Sequence, residues 1–175
     1  MDIHVVTGKG EGTTLLSSFD AALKDSGVYN YNLIYLSSVV PPQAKIQDIG
    51  KLFDQPGIHG DRLYVVIARE QSDVVGTVIG SAVGWYQFDS SGAGVFVEHH
   101  IQGTHMADVS TELERLITYS VRDLCHGRGI PFEKEKCHSA LSVMTVQNRP
   151  ATVCVLAVFQ HEPWRQQHNS HVSGV

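Results

Sequence analysis

The sequence lacks long apolar runs and concentrated charge, and each absence excludes a class of protein. No apolar stretch approaches the roughly 18 residues that a membrane-spanning helix requires. The formal net charge is −5 and lysine and arginine form no long cluster, so neither nucleic acid nor an anionic membrane is expected as a partner. The first dozen residues do not show the basic and then apolar order of a signal peptide. We therefore expect a protein of the cytoplasm.

Cysteine is also scarce, which excludes a disulfide-stabilised scaffold. The chain has 3 cysteines, an odd number, and no CxxC pair. Widely spaced single cysteines are typical of reduced thiols in a cytoplasmic protein. They are Cys125, Cys137 and Cys154.

Common catalytic and metal-binding motifs are missing as well. The glycine-rich run 8–12 has neither P-loop nor dinucleotide-binding spacing, and no GxSxG is present. Histidine is frequent, and His99, His100 and His105 together with a cysteine are an alternative zinc ligand set. However, adjacent residues of a strand point to opposite faces. We interpret this stretch as a solvated polar turn and predict no metal site.

What remains is the pattern of an ordinary globular protein. Its hydrophobic fraction is 42%, and a chain of 175 residues can bury about 70% of the surface exposed by its unfolded form. Apolar residues at helical spacing predict a helix capped by Thr13 or Thr14 that runs to about Asp25. A second, longer helix is predicted over residues 108–126, and about seven β-rich runs are predicted as strands.

Three stretches between these elements have less regular patterns. Residues 8–12 are predicted as a loop, residues 32–40 as one strand, and residues 43–60 as irregular structure. Alternating helical and β-rich runs in a chain of this size indicate a single α+β domain, over residues 1–162. The polar segment 163–175 is predicted to be a flexible tail.

Two adjacent serines, Ser37 and Ser38, stand inside an apolar run and directly before the pair Pro41-Pro42. Proline has no N–H to donate, so regular strand pairing must end there. On the local pattern alone, the serines are two small hydroxyl residues at the end of a strand, hydrogen-bonded to the backbone.

The residues around this pair resemble the N-terminal signature of the pyruvoyl-dependent arginine decarboxylases. Several short motifs match in one register, and the dense matches are confined to the first quarter of the chain. The matching motifs are Gly10-Glu11-Gly12, Ser18-Phe19-Asp20, Asn30-Tyr31-Asn32-Leu33-Ile34 and Ser37-Ser38-Val39-Val40-Pro41-Pro42.

This resemblance implies that the chain cleaves itself between Ser37 and Ser38. A β chain of residues 1–37 and an α chain of residues 38–175 would result, with Ser38 converted to a covalently bound pyruvoyl group. The resemblance assigns Asn32 to the Ser37 carbonyl, where its amide would stabilise the oxyanion formed during cleavage. The pyruvoyl ketone would then form a Schiff base with an amino-acid substrate.

The resemblance also implies the remaining site residues, the fold and the assembly. Glu98 matches the proton donor, Asp20 the carboxylate that binds the substrate guanidinium, and Leu16 an apolar wall of the pocket. The fold would be a two-sheet αββα sandwich with two principal helices. The assembly would be a trimer or a pair of trimers with active sites at subunit interfaces. The reaction would convert arginine to agmatine and CO2, in polyamine synthesis or in acid resistance.

Two other hypotheses stay open. The same chemistry could act on another amino acid, and Asp20 is the residue that would discriminate. Tyr29 and Tyr31, which flank Asn30, and the stretch 99–105 depart from the family pattern and put the substrate in doubt. Alternatively, the chain is an inactive structural or regulatory member of the family.

Overall fold

Nine strands and two α-helices form the described part of the chain, residues 1–53 and 57–164 of a computed structural model. In chain order the elements are β1 Asp2–Glu11, α1 Leu15–Ser26, β2 Asn32–Tyr35, β3 Val39–Val40, β4 Lys45–Gly50, β5 Arg62–Ser72, β6 Val78–Gln87, β7 Gly94–Gly103, α2 Met106–His126, a 3-10 turn Lys134–Lys136, β8 His138–Thr145 and β9 Ala151–Glu162.

The strands form two sheets that pack face to face. One has five strands in the order β2-β5-β9-β1-β4, and the other has four in the order β3-β7-β6-β8. Alternate residues of each strand face the other sheet. The core between the sheets joins Val5, Val66 and Val155 of the first sheet to Val83 and Phe96 of the second. This burial is the main stabilising contribution to the sandwich.

The two helices cover the two outer faces. Ala22 of α1 packs with Leu156 on the five-stranded sheet, and Ile117 of α2 packs with Ala82 on the four-stranded sheet. The expectation of a single α+β unit built as a two-sheet sandwich with two principal helices is confirmed.

Helix α1 begins and ends as its sequence predicts. The Oγ1 of Thr14 accepts a hydrogen bond from the Ser17 N–H at 3.1 Å, and the Ser17 Oγ accepts one from the Thr14 N–H at 3.0 Å. This reciprocal pair satisfies two backbone donors that the first turn leaves unpaired. Gly27 ends the helix with φ at +90°, a left-handed conformation that glycine adopts without steric cost.

The run 8–12, predicted as a loop, is instead mostly part of β1. Its glycines have a packing role, because α1 lies directly on this strand. A Cβ on Gly10 would come within 2.3 Å of the Ala22 backbone nitrogen. The loop prediction was wrong because glycine here allows close approach of a helix, not a turn.

Residues 32–40 are not one strand either. Strand β2 pairs in parallel with β5 in the five-stranded sheet, whereas β3 pairs antiparallel with β7 in the four-stranded sheet. The segment 36–38 therefore crosses from one sheet to the other. Strand β4, within a stretch predicted as irregular, pairs in parallel with β1 at the sheet edge. Its mostly exposed residues have no apolar alternation that would reveal it.

Neither described helix is both long and apolar enough to cross a membrane. Of the predicted tail, residues 165–175 lie outside the described part of the chain. Trp164, just before them, donates from its indole Nε1 to the Gly60 carbonyl at 2.8 Å.

Packing of α2 on β6 leads to a stability prediction. A Cβ on Gly84 would lie 2.2 Å from Cγ2 of Ile117, so Gly84→Ala should lower the free energy of unfolding by about 1–3 kcal/mol through overpacking. Urea unfolding followed by circular dichroism measures this change. Gly127→Ala is the control, because φ is −61° there and the nearest atom is 3.4 Å away. Equal stability of the two variants would contradict the packing described.

Candidate active site

The segment 36–38 is fixed to both sheets. On one side the Leu36 N–H donates to the Val65 carbonyl of β5 at 2.9 Å. On the other side the Phe96 N–H of β7 donates to the Ser38 carbonyl at 2.8 Å. The Ser37-Ser38 peptide bond therefore lies at the edge of the sandwich, in a segment that is hydrogen-bonded to β5 through Leu36 and to β7 through Ser38.

Ser38 is the central residue of a three-residue turn. The Val39 N–H donates to the Ser37 carbonyl at 2.5 Å, which closes the i to i+2 ring of a γ-turn. The φ of Ser38 is not positive, so the turn is of the inverse type, which a non-glycine residue adopts readily. This turn presents the Ser38 side chain to the open edge of β7.

A carboxylate meets that side chain. The Ser38 hydroxyl donates to Oε1 of Glu98, a half-buried residue of β7. Glu98 follows Phe96 by two positions, so both lie on the same face of the strand. Because β3 pairs with only Gly94 and Val95, the edge of β7 beyond them is left open at Glu98. A serine hydroxyl and a carboxylate are thus in contact at an accessible edge.

The pair lies in an open cleft between β7 and α2. The cleft has a volume of about 410 Å³. Its lining residues come from the segment 36–38, from β7 and from one face of α2: Ser38, Phe96, Val97, Glu98, His99, Ser120, Asp123 and Leu124. It is large enough for an amino acid, and two carboxylates, those of Glu98 and Asp123, line it.

The histidines next to Glu98 point to opposite sides of β7. His99 Nε2 lies 2.8 Å from the Ser120 Oγ of α2, and His100 Nδ1 lies 2.8 Å from Oε2 of Glu70 on the other sheet. Burial lowers the pKa of His99, the charge of Glu98 opposes this shift, and His100 adds to it. The stretch 99–105 is therefore not simply a solvated turn, because β7 continues to Gly103. Within the described ranges, no three His, Cys, Asp or Glu side chains could together hold a metal ion.

The side chain of Asn32 hydrogen-bonds to Gly60 and not to the Ser37 carbonyl, where the family resemblance puts it. Its side-chain Nδ2 donates to the Gly60 carbonyl at 2.5 Å, and its backbone N–H donates to the Asp61 carbonyl at 2.8 Å. Among the described residues, no hydrogen bond joins this amide to the Ser37 carbonyl. The role of Asn32 in cleavage stays a prediction.

The loop that holds Asn32 is itself anchored by a buried contact between a carboxylate and an imidazole. Asp61 is 3% exposed and its Oδ2 lies 2.7 Å from Nε2 of His161. This contact, with a hydrogen bond from the Ile58 N–H, lowers the pKa of Asp61. Sequence reasoning missed the pair, because the two residues are 100 positions apart and neither belongs to a motif.

Asp20 and Leu16 lie elsewhere on the same chain. Both are exposed on α1, and Leu16 is 78% exposed. Helix α1 covers the outer face of the five-stranded sheet, and no residue that lines the Ser38 cleft comes from it. One chain does not bring Asp20 and Leu16 to Ser38 and Glu98, so they could share a site only across a subunit boundary.

Comparison with known proteins shows the family of the chain. The model of a family described as pyruvoyl-dependent arginine decarboxylase matches residues 2–163. A protein of that name from Thermoplasma volcanium is 31% identical over 171 residues, 93% of this chain and 90% of its own length. One from Methanothermobacter thermautotrophicus is 30% identical over 151 residues, 82% of this chain and 95% of its own. One from Picrophilus torridus is 36% identical over 104 residues, 58% of this chain and 56% of its own.

The sandwich, the hydroxyl–carboxylate pair and these matches define an enzyme of the carboxy-lyase class. Within that class, the chain belongs to the pyruvoyl-dependent arginine decarboxylase family. The resemblance of the N-terminal motifs is thereby confirmed.

The half-buried imidazole of His99 leads to a prediction about pH. Its pKa is below the ordinary value in the folded protein, so below about pH 6.5 the unfolded chain binds more protons and stability is lost as the pH falls. His99→Gln should therefore lose less stability than the wild type between pH 7.5 and pH 5, as melting temperatures would show. His126→Gln, on the exposed end of α2, is the control. Parallel stability curves for wild type and His99→Gln would contradict this prediction.

Proposed function

We propose that the chain cleaves itself between Ser37 and Ser38 and then decarboxylates arginine to agmatine and CO2. The contact between the Ser38 hydroxyl and Glu98 is the observation that supports it most. Nothing in an ordinary strand end requires a hydroxyl to donate to a half-buried carboxylate. The names of the relatives supply the cofactor and the substrate class.

Self-cleavage begins with the Ser38 hydroxyl as nucleophile. Its oxygen attacks the Ser37 carbonyl carbon, so an Oγ–C bond forms, the C–N bond between Ser37 and Ser38 breaks, and the amide becomes an ester. The Oγ proton passes to Glu98 and then to the released nitrogen. A carboxylate in contact with a hydroxyl is arranged for this general-base step.

The ester is then removed by elimination. The Cα proton of Ser38 is lost, the Cβ–Oγ bond breaks, and residues 1–37 depart with a new carboxylate. The dehydroalanine left at position 38 takes up one water and releases ammonia, which produces the pyruvoyl group. The Phe96 N–H that donates to the Ser38 carbonyl would stabilise charge that develops there when the Cα proton leaves.

The cleft suits a pyruvoyl group at position 38. Ser38 lines the open cleft together with Glu98. When present, the group supplies Schiff-base chemistry to the substrate amine and accepts the electrons left when CO2 departs. In this proposal Glu98, which contacts position 38, holds a proton and returns it to the carbon that has lost CO2.

A second carboxylate is required for the guanidinium of arginine. A carboxylate binds that planar group through two parallel hydrogen bonds. We assign this role to Asp20 of a neighbouring subunit, with Leu16 beside it. The site would then be completed at a subunit interface, in a trimer or a pair of trimers. Their exposure on α1 is consistent with such a contact.

The cysteines support a location in the reducing cytoplasm. All three are free, and Cys125 and Cys154 are buried. Burial raises the pKa of Cys154 to about 12, so the thiol stays protonated and unreactive.

Self-cleavage is tested by the intact mass of the purified protein. The wild type should yield two fragments, residues 1–37 and residues 38–175, and Ser38→Ala should remain one chain. Glu98→Gln should cleave about 10²-fold more slowly, because the amide cannot accept the hydroxyl proton. Glu114→Gln, on the exposed side of α2, should cleave normally. A wild type that stays intact on incubation would contradict the proposal.

The substrate is tested by release of CO2 from arginine, compared with ornithine, lysine and aspartate. Asp20→Asn should raise the KM for arginine about 10–100-fold, the effect of losing a charged hydrogen bond, while self-cleavage continues. Asp48→Asn, exposed on β4, is the control. If Asp123→Asn raises KM instead, the guanidinium binds within the chain's own cleft. Cleavage without CO2 release from any amino acid would favour an inactive family member.

A further inference from the structure

The carbonyl of Ser37 already has a hydrogen-bond donor. When the Ser38 hydroxyl attacks this carbonyl, negative charge develops on the Ser37 oxygen. A donor aimed at that oxygen lowers the barrier, because it stabilises the charge where it forms. The Val39 N–H donates to this oxygen, with 2.5 Å between the nitrogen and the oxygen. The side-chain amide of Asn32 donates to the Gly60 carbonyl instead.

The Val39 N–H is available because the strand pairing does not use it. In an antiparallel pair, hydrogen-bonded and non-hydrogen-bonded residue pairs alternate. Phe96 donates to the Ser38 carbonyl, so the next pair, Val39 with Val95, is the non-hydrogen-bonded kind. Its N–H groups point away from the partner strand. The Val39 N–H instead donates to the Ser37 carbonyl.

The surrounding contacts hold this turn in place. The carbonyl of its central residue, Ser38, accepts a hydrogen bond from the Phe96 N–H of β7, and Val40, which follows the turn, is 1% exposed in the core. A donor fixed by such contacts needs no reorganisation when the charge develops. The Val39 side chain, by contrast, is 61% exposed and has no part in the arrangement.

We infer that the backbone N–H of Val39 is the oxyanion donor of the self-cleavage. This rests on the proposed cleavage at Ser37-Ser38. As the Oγ–C bond forms, the carbonyl electron pair moves to the Ser37 oxygen and the Val39 N–H donates to it. As the C–N bond breaks, the pair returns and the nitrogen takes the proton that the hydroxyl gave up.

Replacing the Val39 amide with an ester tests this directly. Incorporation of the α-hydroxy acid analogue of valine removes the N–H and keeps the side chain. Hydroxylamine traps the Ser37 ester as a hydroxamate, so mass spectrometry measures the acyl shift separately from elimination. The ester at position 39 should slow this shift about 10²-fold. A trapping rate equal to that of the wild type would overturn the inference.

Two controls separate the N–H from its surroundings. Val39→Ala keeps the N–H and should be trapped at the wild-type rate. The same ester at Val40, whose N–H faces β7 by alternation, should perturb strand pairing more and the shift less. Circular dichroism compares the folding of both ester proteins. If the Val40 ester slows the shift as much as the Val39 ester, a general loss of strand pairing explains the effect and the inference is wrong.

Other outcomes distinguish this inference from the proposed function. If the wild type forms neither hydroxamate nor fragments, self-cleavage itself fails. If the wild type cleaves, and Asn32→Ala abolishes trapping while the Val39 ester leaves it unchanged, then Asn32 is the donor and the inference alone fails.

Discussion

The structure depends on one constraint, the crossing of residues 36–38 between two sheets. Leu36 is bound to β5 and Ser38 to β7, so the backbone must change sheets within a few bonds. A γ-turn is a compact way to reverse direction over that distance. The same crossing places the Ser37-Ser38 bond at an accessible edge, where a buried strand would have protected it. The position of the Ser37-Ser38 bond, where we propose cleavage, therefore follows from the packing of the sandwich.

The two-sheet arrangement also decides which groups can act together. Because each helix covers its own outer face, groups on α1 and α2 of one chain are separated by both sheets. Glu98 and the α2 side of the cleft reach Ser38, while Asp20 does not. A site that needs both carboxylates therefore requires a second subunit. In this fold, the chain would be active only when it is associated with a second subunit.

Because side chains alternate along β7, its three consecutive polar residues have different hydrogen-bond partners. Glu98 meets the serine, His99 bonds to Ser120 of α2, and His100 bonds to Glu70 of the facing sheet. The two histidines, which directly follow Glu98, thus tie β7 to both neighbouring layers. The same logic explains the Val39 N–H, which is free for Ser37 because its position in the ladder leaves it unpaired. Small shifts of register would undo both arrangements.

The sequence by itself determined the local features. Thr14 and Gly27 delimit α1, apolar periodicity predicts α2, and the motifs around Ser37, Ser38 and Glu98 identify the family. These signals are readable because capping, periodicity and motif chemistry act over a few residues.

Only the tertiary structure decided what depends on distant partners. Strand β4, the place of the 8–12 run within β1 and the division of residues 32–40 between two sheets all follow from pairing with distant segments. The attachment of Asn32 to Gly60 and the Asp61–His161 pair do so as well. No local pattern encodes such contacts, because burial and hydrogen bonding between remote segments override local preference.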